Sequence, residues 1–390
     1  MDTDREYMKR AICLALGGRG FTNPNPLVGA VIVKDGRVIG EGYHEKYGGL
    51  HAERNAIKSL TEPAEGATIY VTLEPCCHYG KTPPCTEAII ENKIAHVVIG
   101  SRDPNPKVAG KGVKALRDAG IKVTQDYMRQ ECDRLNPVFF HYISTNTPYV
   151  VMKYAMTADG KIATKTGKSK WITCEESREY VQQLRSRYMG IMAGIGTVLA
   201  DDPMLNVRVQ GKRNPVRIIC DTNVRIPLDS RLCKSAGEFP LIIACAGNDA
   251  SEEPVSFIQK KREKIEALKN IGVQVLEIPR CIEPSVGGRQ GIDLNILMDR
   301  LGGMGIDSIL LEGGGTLNEG AFRAGIVNEV NAFIAPKVFG GSARTPVDGA
   351  GVESPDECYE LEFVESSVVG SDILITYRVK NNLNERIWES

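Results

Sequence analysis

The second half of this 390-residue chain lacks histidine, because all five histidines lie at or before position 141. Any chemistry after that point must proceed without an imidazole. The chain also lacks an excess of either charge, with 48 Lys and Arg against 49 Asp and Glu and a formal net charge of −1. Nucleic-acid-binding domains usually carry a strong basic excess, so we expect no nucleic-acid partner.

Long apolar segments are missing as well. No run approaches the ~18 residues that a membrane-spanning helix needs, so no membrane partner is expected. The first ten residues, MDTDREYMKR, are too charged for a secretory signal, so we expect a cytoplasmic location. The cysteines number eleven, an odd count that does not suggest a disulfide scaffold, and three of them crowd into residues 76–85.

What is present indicates two α/β domains. The composition is 42% hydrophobic and 25% charged, as in soluble globular proteins, and domains usually span ~100–200 residues. Apolar strand patterns alternate with helical ones in both halves, which implies sheets covered by helices. Turn signals at Asn136-Pro137 and Thr147-Pro148 place the boundary within about 125–148. We therefore predict a first domain over 1–146 and a second over 147–390.

The periodicity of apolar residues predicts individual elements. A helix is predicted near residues 7–16, and Asp35-Gly36 predicts a hairpin turn. Further helices are predicted at 53–60, 111–119, 175–188, 257–270 and 292–301. Strands are predicted at 28–33, 37–42, 67–73, 96–100, 149–155, 216–220, 241–246, 273–278, 308–311, 329–334 and 373–379.

One group of residues in the first half is typical of a zinc site. His51 opens a predicted helix, Cys76 follows a predicted strand, and Cys85 comes nine positions later behind two prolines. One imidazole and two thiolates leave the fourth position of zinc open for water, whose pKa the metal lowers towards ~7. Glu53, two residues after His51, can carry the proton of this water to the substrate.

The pattern H-x-E, then P-C and a later Cys, is that of the zinc deaminases. Their common spacing leaves two residues between the cysteines, whereas eight separate them here. A structural zinc site or unrelated buried thiols are the alternatives. Cys77 and His78 are rival ligands that rank below Cys85, since adjacent residues seldom point at one metal. His44 either lines the pocket or is an ordinary loop histidine.

Longer motifs extend over nearly the whole chain. They are Asn23–Gly29, Thr72–Cys85, Asp103–Pro106, Lys153, Asp159-Gly160, Ser169–Thr173, Gly196–Pro203 and Glu312–Thr316. Together they resemble one family, the bifunctional deaminase–reductases of riboflavin biosynthesis. The long inter-cysteine segment is part of that resemblance, and Cys77, where the family often carries serine, is a departure that adds a spare thiol.

The resemblance implies an α/β fold with two parts. The N-terminal domain would be a cytidine-deaminase-like three-layer α/β/α domain that uses Zn²⁺, and the C-terminal domain would be dihydrofolate-reductase-like and use NADPH. The substrate would be 2,5-diamino-6-ribosylamino-4(3H)-pyrimidinone 5′-phosphate, a phosphorylated pyrimidine. It would be deaminated and its ribosyl chain then reduced, giving 5-amino-6-(5-phospho-ribitylamino)uracil. A homo-oligomer is also expected.

The resemblance further implies site residues. Glu53 would be catalytic, and His51, Cys76 and Cys85 would bind the metal. Asn23, Asn25 and Asp103 either read the pyrimidine edge or simply form turns. The expected cofactor contacts are Ala155, Trp171, Thr197, Asp201, Thr222, Gly314, Gly315 and Thr316. The expected substrate contacts are Lys153, Ser169, Arg185, Leu205, Arg208 and Glu312.

The residues of the second half have their own interpretations. The glycine run after Glu312 follows an apolar strand and opens a predicted helix, so it is either a phosphate cradle or a tight turn. It lacks the full G-x-G-x-x-G pattern, which argues against a Rossmann domain. Arg185 and Arg208 either grip the 5′-phosphate or lie on the surface. Lys153, in a mostly apolar strand, is either an edge residue or a pocket cation.

Two other functions are compatible with parts of this pattern. A nucleoside or tRNA deaminase with an unrelated partner domain would explain the zinc motif, but tRNA binding would favour basic charge. A zinc-stabilised binding protein without catalysis would explain the cysteines. Such a structural site would have a fourth protein ligand and no need for Glu53 beside the metal.

Overall fold

The computed structural model of the chain describes residues 3–247, 254–281 and 291–380. The chain divides into two compact units, Met1–Thr145 and Asn146–Ser390, and this division lies one residue before the expected one. Within the described residues, no helix is both long enough and apolar enough to cross a membrane.

The first unit contains one five-stranded sheet in the order β2-β1-β3-β4-β5. β1 runs antiparallel to β2 and β3, whereas β3, β4 and β5 are parallel. Its helices are α1 (Thr3–Ala15), α2 (Ala52–Lys58), α3 (Cys85–Glu91), α4 (Lys111–Asp118), α5 (Arg129–Asp133) and α6 (Pro137–Thr145). Its strands are β1 (Gly29–Lys34), β2 (Arg37–Tyr43), β3 (Thr68–Leu73), β4 (His96–Ser101) and β5 (Lys122–Thr124).

The predicted hairpin between β1 and β2 is confirmed. Asp35 and Gly36 both have positive φ, 49° and 73°, as a two-residue hairpin turn requires. The strands that they join pair from Lys34 and Arg37 outward. Helix α1 covers one face of this sheet, where its Met8 joins a buried apolar cluster with Val31 and residues of β3 and β4.

The predicted boundary segment is largely helical, which the turn signals did not indicate. Pro137 is the first residue of α6, where proline is favoured because no helical partner exists for its missing N–H. The side chain of Asn136 does not form a turn. It accepts a hydrogen bond from the N–H of Leu27 at 2.7 Å and donates one to the Leu27 carbonyl at 2.9 Å. This pair ties the start of α6 to the segment before β1.

The second unit contains a nine-stranded sheet in the order β10-β9-β8-β7-β11-β6-β12-β14-β13. The strands from β10 to β12 are parallel, and β14 and β13 add an antiparallel edge. The strands are β6 (Tyr149–Thr157), β7 (Gly190–Gly194), β8 (Val216–Cys220), β9 (Leu241–Ala246), β10 (Gln274–Ile278), β11 (Ser308–Leu311), β12 (Val327–Ala335), β13 (Leu361–Val369) and β14 (Asp372–Val379). The helices are α7 (Glu175–Arg187), α8 (Ile195–Asp201), α9 (Arg231–Lys234), α10 (Val255–Asn270), α11 (Leu294–Gly303) and α12 (Gly315–Arg323).

This larger sheet is buried on both faces. Neighbouring residues of one strand contribute to two separate apolar clusters: Met192 and Ile218 belong to one, Ile191 and Ile219 to the other. Parallel strands covered by helices on both sides have this continuous apolar character. Their carboxyl ends meet at one edge of the sheet, which is where ligands of open α/β sheets bind.

Candidate active sites

The start of α2 and the start of α3 hold the predicted metal ligands of the first unit. His51 is the residue that precedes α2, and Cys85 is the first residue of α3. Cys76 lies between them in sequence, in the loop after β3. Glu53 stands in the first turn of α2 and is only 3% exposed.

The structure brings His51, Cys76 and Cys85 together. Their ligand atoms all lie within 4.8 Å of one another, with His51 Nδ1 at 3.4 Å from Cys76 Sγ and 3.5 Å from Cys85 Sγ. Zinc bonds of ~2.0–2.1 Å to nitrogen and ~2.3 Å to sulfur, set tetrahedrally, separate N and S ligands by ~3.6 Å. The donor atoms therefore fit a zinc ion without rearrangement.

Neighbouring groups shift the pKa values of the site residues. Hydrogen bonds from Cys85 and His51 lower the pKa of the Cys76 thiol to about 4. The hydrogen bond to Cys76, together with burial, raises the pKa of Cys85. Burial, with the charge of Cys76, raises the pKa of Glu53. A raised carboxyl pKa is a shift in the direction that general acid–base catalysis uses.

A cavity of about 260 Å³ opens beside these residues. His51, Glu53 and Cys76 line it, and so do His44 and His78. Neither rival ligand belongs to the metal-ligand group found among the described residues. The thiol of Cys77 lies 3.8 Å from the carbonyl of Lys107 instead. His78 faces the cavity with a buried Nδ1 that, within the described residues, has no hydrogen-bond partner.

The cavity wall beside the ligands is polar, and the His44 ring packs edge-on against that of His51 with centroids 5.4 Å apart. The side-chain amide of Asn25 lies 3.1 Å from His44 Nε2, and His44 Nδ1 lies 2.9 Å from the carbonyl of Leu50. The pocket places these groups with Asp103, which is 8% exposed and whose pKa burial raises to about 7. Asp103 also accepts a hydrogen bond from the N–H of Asn105, as a turn residue would. Asn23, the other candidate, does not line the pocket.

Lys81 is a pocket residue that the sequence did not single out. It belongs to the inter-cysteine segment, lines the cavity and lies with its Nζ 3.9 Å above the ring of Tyr47. The long spacing between Cys76 and Cys85 was the available signal, since a longer loop there can contribute its own side chains to the pocket.

In the second unit, a buried ion cluster joins three of the expected substrate residues. Arg185 donates two hydrogen bonds to Glu312, at 2.7 and 3.0 Å, and Lys153 Nζ lies 3.8 Å from the same carboxylate. Burial alone would raise the pKa of Glu312, but the charges of Arg185 and Lys153 lower it to about 2. Burial lowers the pKa of Lys153 against the opposing effect of Glu312.

The remaining expected substrate residues lie in loops around this cluster. Arg208 is exposed, and its N–H is held at 3.0 Å by the side chain of Gln182. Leu205 is buried and has a φ of 50°, unusual for a non-glycine residue. Ser169 is half-buried in the segment before α7. Because Arg185 already binds Glu312 through two donors, the exposed guanidinium of Arg208 is the freer group for a phosphate.

Two glycines at the carboxyl end of β11 differ in what surrounds them. Gly314 has a φ of −77°, and a methyl group there would lie 3.6 Å from Thr197 Oγ1, an ordinary van der Waals contact. A methyl group on Gly315 would come within 2.9 Å of the Thr345 carbonyl and would overlap Asp348. A side chain at position 314 therefore meets no protein atom too closely, whereas Gly315 is required by packing against the 345–348 loop.

A large cavity of about 1170 Å³ lies at the carboxyl ends of β7, β8 and β10. Its walls include residues that begin α8 and α12, among them Gly196 and Thr316, and also Thr222 from the loop after β8. The guanidinium groups of Arg225 and Arg280, which sequence reasoning missed, line the same cavity. An elongated ligand with phosphates fits this combination of glycines, hydroxyls and cations.

Three further expected cofactor residues lie in or near strand β6 and helix α8. Ala155 is on β6, two residues after Lys153 and therefore on the same face of the sheet. Trp171 is 62% exposed beneath the guanidinium of Arg178, and its carbonyl accepts a hydrogen bond from Lys337 at 3.0 Å. Asp201 ends α8, and its carboxylate lies 3.4 Å from Lys170 Nζ.

Comparison with known families covers both units. Residues 1–101 match the cytidine and deoxycytidylate deaminase zinc-binding region, and residues 148–375 match the RibD C-terminal domain. The riboflavin biosynthesis protein RibD of Actinobacillus pleuropneumoniae is 51% identical over 378 residues, covering 97% of this chain and 96% of its own length.

Solved structures agree with this comparison. RibD of Acinetobacter baumannii superposes with a TM-score of 0.82 at 35% identity, covering 97% of this chain and 99% of that one. A diaminohydroxyphosphoribosylaminopyrimidine deaminase/5-amino-6-(5-phosphoribosylamino)uracil reductase from Thermotoga maritima gives a TM-score of 0.81 at 35% identity, with the same coverage.

The matches confirm the predicted fold class, a cytidine-deaminase-like domain followed by a reductase domain. Because both units match one family along their length, a deaminase with an unrelated C-terminal domain is not favoured. A binding protein without catalysis is not favoured either, since the matched relatives are enzymes by name. The chain belongs to the RibD family of bifunctional deaminase–reductases of riboflavin biosynthesis.

Proposed function

We propose that the chain converts 2,5-diamino-6-ribosylamino-4(3H)-pyrimidinone 5′-phosphate into 5-amino-6-(5-phospho-ribitylamino)uracil in two steps. Residues 1–146 would carry out the deamination with Zn²⁺, and residues 147–390 the NADPH-dependent reduction. The observation that carries the proposal is the approach of His51, Cys76 and Cys85 within 4.8 Å, with buried Glu53 beside them in the same cavity.

In the deaminase, His51, Cys76 and Cys85 would hold the metal. When bound, zinc would supply an acidified water as the nucleophile. Glu53 would take one proton from that water and deliver it to a ring nitrogen, and it would then carry the second proton, from the newly attached hydroxyl, to the departing amino group. Its burial supports this role, because a raised pKa keeps the carboxyl ready to accept and to return the proton.

The polar wall would orient the pyrimidine. Asn25 offers an amide group that can both donate and accept, and its contact with His44 fixes how it points. Asp103, with a pKa of about 7, can present either an acceptor or a donor to the ring. Lys81, above Tyr47 at the loop side of the cavity, supplies a cation for the phosphate end of the substrate.

In the reductase, the space in front of Gly314 would receive the NADPH pyrophosphate. Gly315 and Thr316 begin α12 there, and the Thr197 hydroxyl in the first turn of α8 lies 3.6 Å from the position of a methyl group on Gly314, so the N–H groups that begin α12 and this hydroxyl would bind the phosphates. Thr222 would contact the cofactor further along the large cavity. Ala155, Trp171 and Asp201 complete the proposed cofactor contacts.

The ion cluster of Lys153, Arg185 and Glu312 would form the floor of the reductase substrate site. Glu312 stays ionised at neutral pH, so it can accept hydrogen bonds from ribose hydroxyls. Lys153, partly buried beside it, would polarise the ribose oxygen during hydride transfer. Arg208 would bind the 5′-phosphate, and Ser169 and Leu205 would border the site.

The homo-oligomer that we propose is a dimer through β13. This strand ends the described sheet, and all but the last of its nine residues are exposed. Val368 lies opposite Ile373, and Phe363 opposite Tyr377, so apolar side chains from both strands of the hairpin share one face. Val368 is 79% and Phe363 60% exposed.

An edge strand of this length with exposed apolar side chains is covered in native proteins, and a second copy of the chain can pair with it about a two-fold axis.

One experiment tests the two-step proposal directly. Purified protein is assayed for bound zinc, for ammonia release from the diaminopyrimidine phosphate, and for NADPH oxidation with and without that substrate. We expect about one zinc per chain, ammonia release without NADPH, and NADPH oxidation only after deamination. Zinc binding without ammonia release from this substrate would contradict the proposed reaction.

A further inference from the structure

The segment that delivers Cys85 to the metal site has an unusual construction. Pro83 and Pro84 directly precede Cys85, and proline has no backbone N–H. These two residues can therefore be held through their carbonyl groups but cannot donate to a neighbouring strand or helix. Donors to those carbonyls would restrain the direction from which Cys85 reaches the site.

Arg54 supplies them. Its Nε donates to the carbonyl of Pro83 at 3.0 Å, and its Nη2 donates to the carbonyl of Pro84 at 2.7 Å. The guanidinium is a rigid fork, so two simultaneous hydrogen bonds fix both the distance and the orientation of the segment. Arg54 follows Glu53 directly in α2 and comes three residues after His51. The start of α2 thus provides the ligand His51, the proton-transfer group Glu53 and the two hydrogen bonds of Arg54, which we call the clamp.

We propose that Arg54 is a positioning residue for the metal site and that it acts through Pro83 and Pro84 on Cys85. This inference rests on the proposed zinc deaminase and deepens it. The eight residues between Cys76 and Cys85 exceed the common two, so the second thiol lacks the restraint of a short turn. The clamp replaces that restraint by tying the far end of the loop to the helix that carries the other site residues.

A second consequence concerns the substrate pocket. The same inter-cysteine segment contributes His78, Gly80, Lys81 and Thr82 to the cavity wall. The Cys85 end of this segment also meets Cys76 directly, because the Cys76 carbonyl accepts a hydrogen bond from the N–H of Thr86 at 3.2 Å and its Sγ accepts one from the N–H of Cys85 at 3.4 Å. Loss of the clamp should therefore disturb both the metal and the pocket wall, while the core of the unit stays intact.

The test uses the full chain with Arg54→Met and Arg54→Lys. Arg54→Met keeps an unbranched stem but has no donors, and Arg54→Lys keeps one charged donor group. Residues that orient metal ligands typically change metal affinity by ~10–100-fold when mutated. We expect Arg54→Met to weaken zinc binding by about that factor in competition with a chelator, and Arg54→Lys to recover part of the loss. The control is Lys58→Met, an exposed position in the last turn of α2.

A spectroscopic measurement separates positioning from folding. Cobalt substituted for zinc reports its ligand geometry through its ligand-field and thiolate charge-transfer bands. We expect altered bands for Arg54→Met at an unchanged melting temperature of the metal-free protein. Wild-type zinc affinity and cobalt bands in Arg54→Met would overturn the proposal, as would an equal loss in Lys58→Met. Failure of the wild-type chain to bind zinc would instead overturn the zinc deaminase itself.

Discussion

At the scale of single residues, burial gives Glu53 its chemistry. A carboxyl in water would be ionised at neutral pH and would return a proton poorly. Glu53 is 3% exposed in the first turn of α2, and its pKa is raised by burial and by the neighbouring thiolate of Cys76. The metal ligands would determine where the nucleophilic water binds, and Glu53 would transfer the proton that this water loses.

Glu53→Gln tests that division of labour. The amide keeps the size and hydrogen bonding of the carboxyl but cannot exchange a proton, so we expect deamination to fall by ~10²–10⁴-fold. Bound zinc should remain near the wild-type level, because Glu53 is not a ligand. The measurement combines ammonia release with zinc content. Near-normal deamination in this variant would remove Glu53 from the mechanism.

Asp103 gives a prediction about pH. Burial raises its pKa from 3.8 to about 7, so the folded chain keeps a proton that the unfolded chain releases above pH 4. Because the unfolded state then binds fewer protons, the Asp103 contribution to stability is present below pH 4 and is lost as pH rises through about 7. Asp103→Asn lacks this titration and retains an acceptor for the N–H of Asn105.

We therefore expect Asp103→Asn to gain stability relative to wild type between pH 4 and pH 8. One pKa unit corresponds to about 1.4 kcal/mol, so the relative gain is on the order of a few kcal/mol. Urea unfolding at pH 4, 6 and 8 measures it. A difference in the free energy of unfolding that is independent of pH would show that Asp103 is ionised in the folded state throughout.

At the scale of elements, two adjacent glycines at the start of α12 allow cofactor binding to be tested separately from folding. Gly314→Ala adds a methyl group whose protein contact, Thr197 Oγ1 at 3.6 Å, is ordinary, and the φ of −77° suits alanine. We expect the dissociation constant of NADPH to rise at least tenfold while the melting temperature changes little. Gly315→Ala is the matched control, because its methyl group overlaps Asp348 and should lower the melting temperature.

The measurement is NADPH fluorescence titration together with thermal unfolding. Both variants keep the deaminase residues, so ammonia release should be unaffected in Gly314→Ala. A Gly314→Ala protein that binds NADPH normally would show that the cofactor phosphates lie elsewhere.

The sequence predicted most accurately the bounds of helices and strands whose residues all face the same environment, such as the buried core. The bounds of β8, β9 and β11 match the prediction, since apolar residues dominate each of these short strands, as buried parallel strands require, although β8 also contains the buried Arg217. It did not predict α6, because the Asn-Pro pair resembles a turn although proline also begins helices. Strand β13 was missed for the opposite reason, since its mixture of exposed apolar and acidic residues shows no buried face.

The same limit applies to the sites. The H-x-E and P-C motifs with the later cysteine were enough to predict the grouping of His51, Cys76 and Cys85, because chemistry restricts which residues can serve. Arg54 could not be predicted, since its partners are about thirty positions away and are backbone carbonyls, which carry no side-chain identity. Arg185 was expected either to grip the phosphate or to lie on the surface, but it is buried, and only the packing of α7 beside the end of β11 reveals its pairing with Glu312.

At the scale of the whole molecule, the apolar edge of the larger sheet decides the state of assembly. Val368→Lys places a charge on the exposed face of β13 without entering a buried cluster, because this side chain is 79% exposed. If two copies pair through β13, the interface would bury a lysine from each copy, and we expect the dimer dissociation constant to rise at least a hundredfold.

Val255→Lys is the control, since that valine is 82% exposed on α10, which packs against β10 at the opposite end of the sheet from β13. Sedimentation velocity over a range of concentrations measures the shift from dimer to monomer. A Val368→Lys protein that remains dimeric, or a wild-type protein that is monomeric at micromolar concentration, would place the interface elsewhere or remove it.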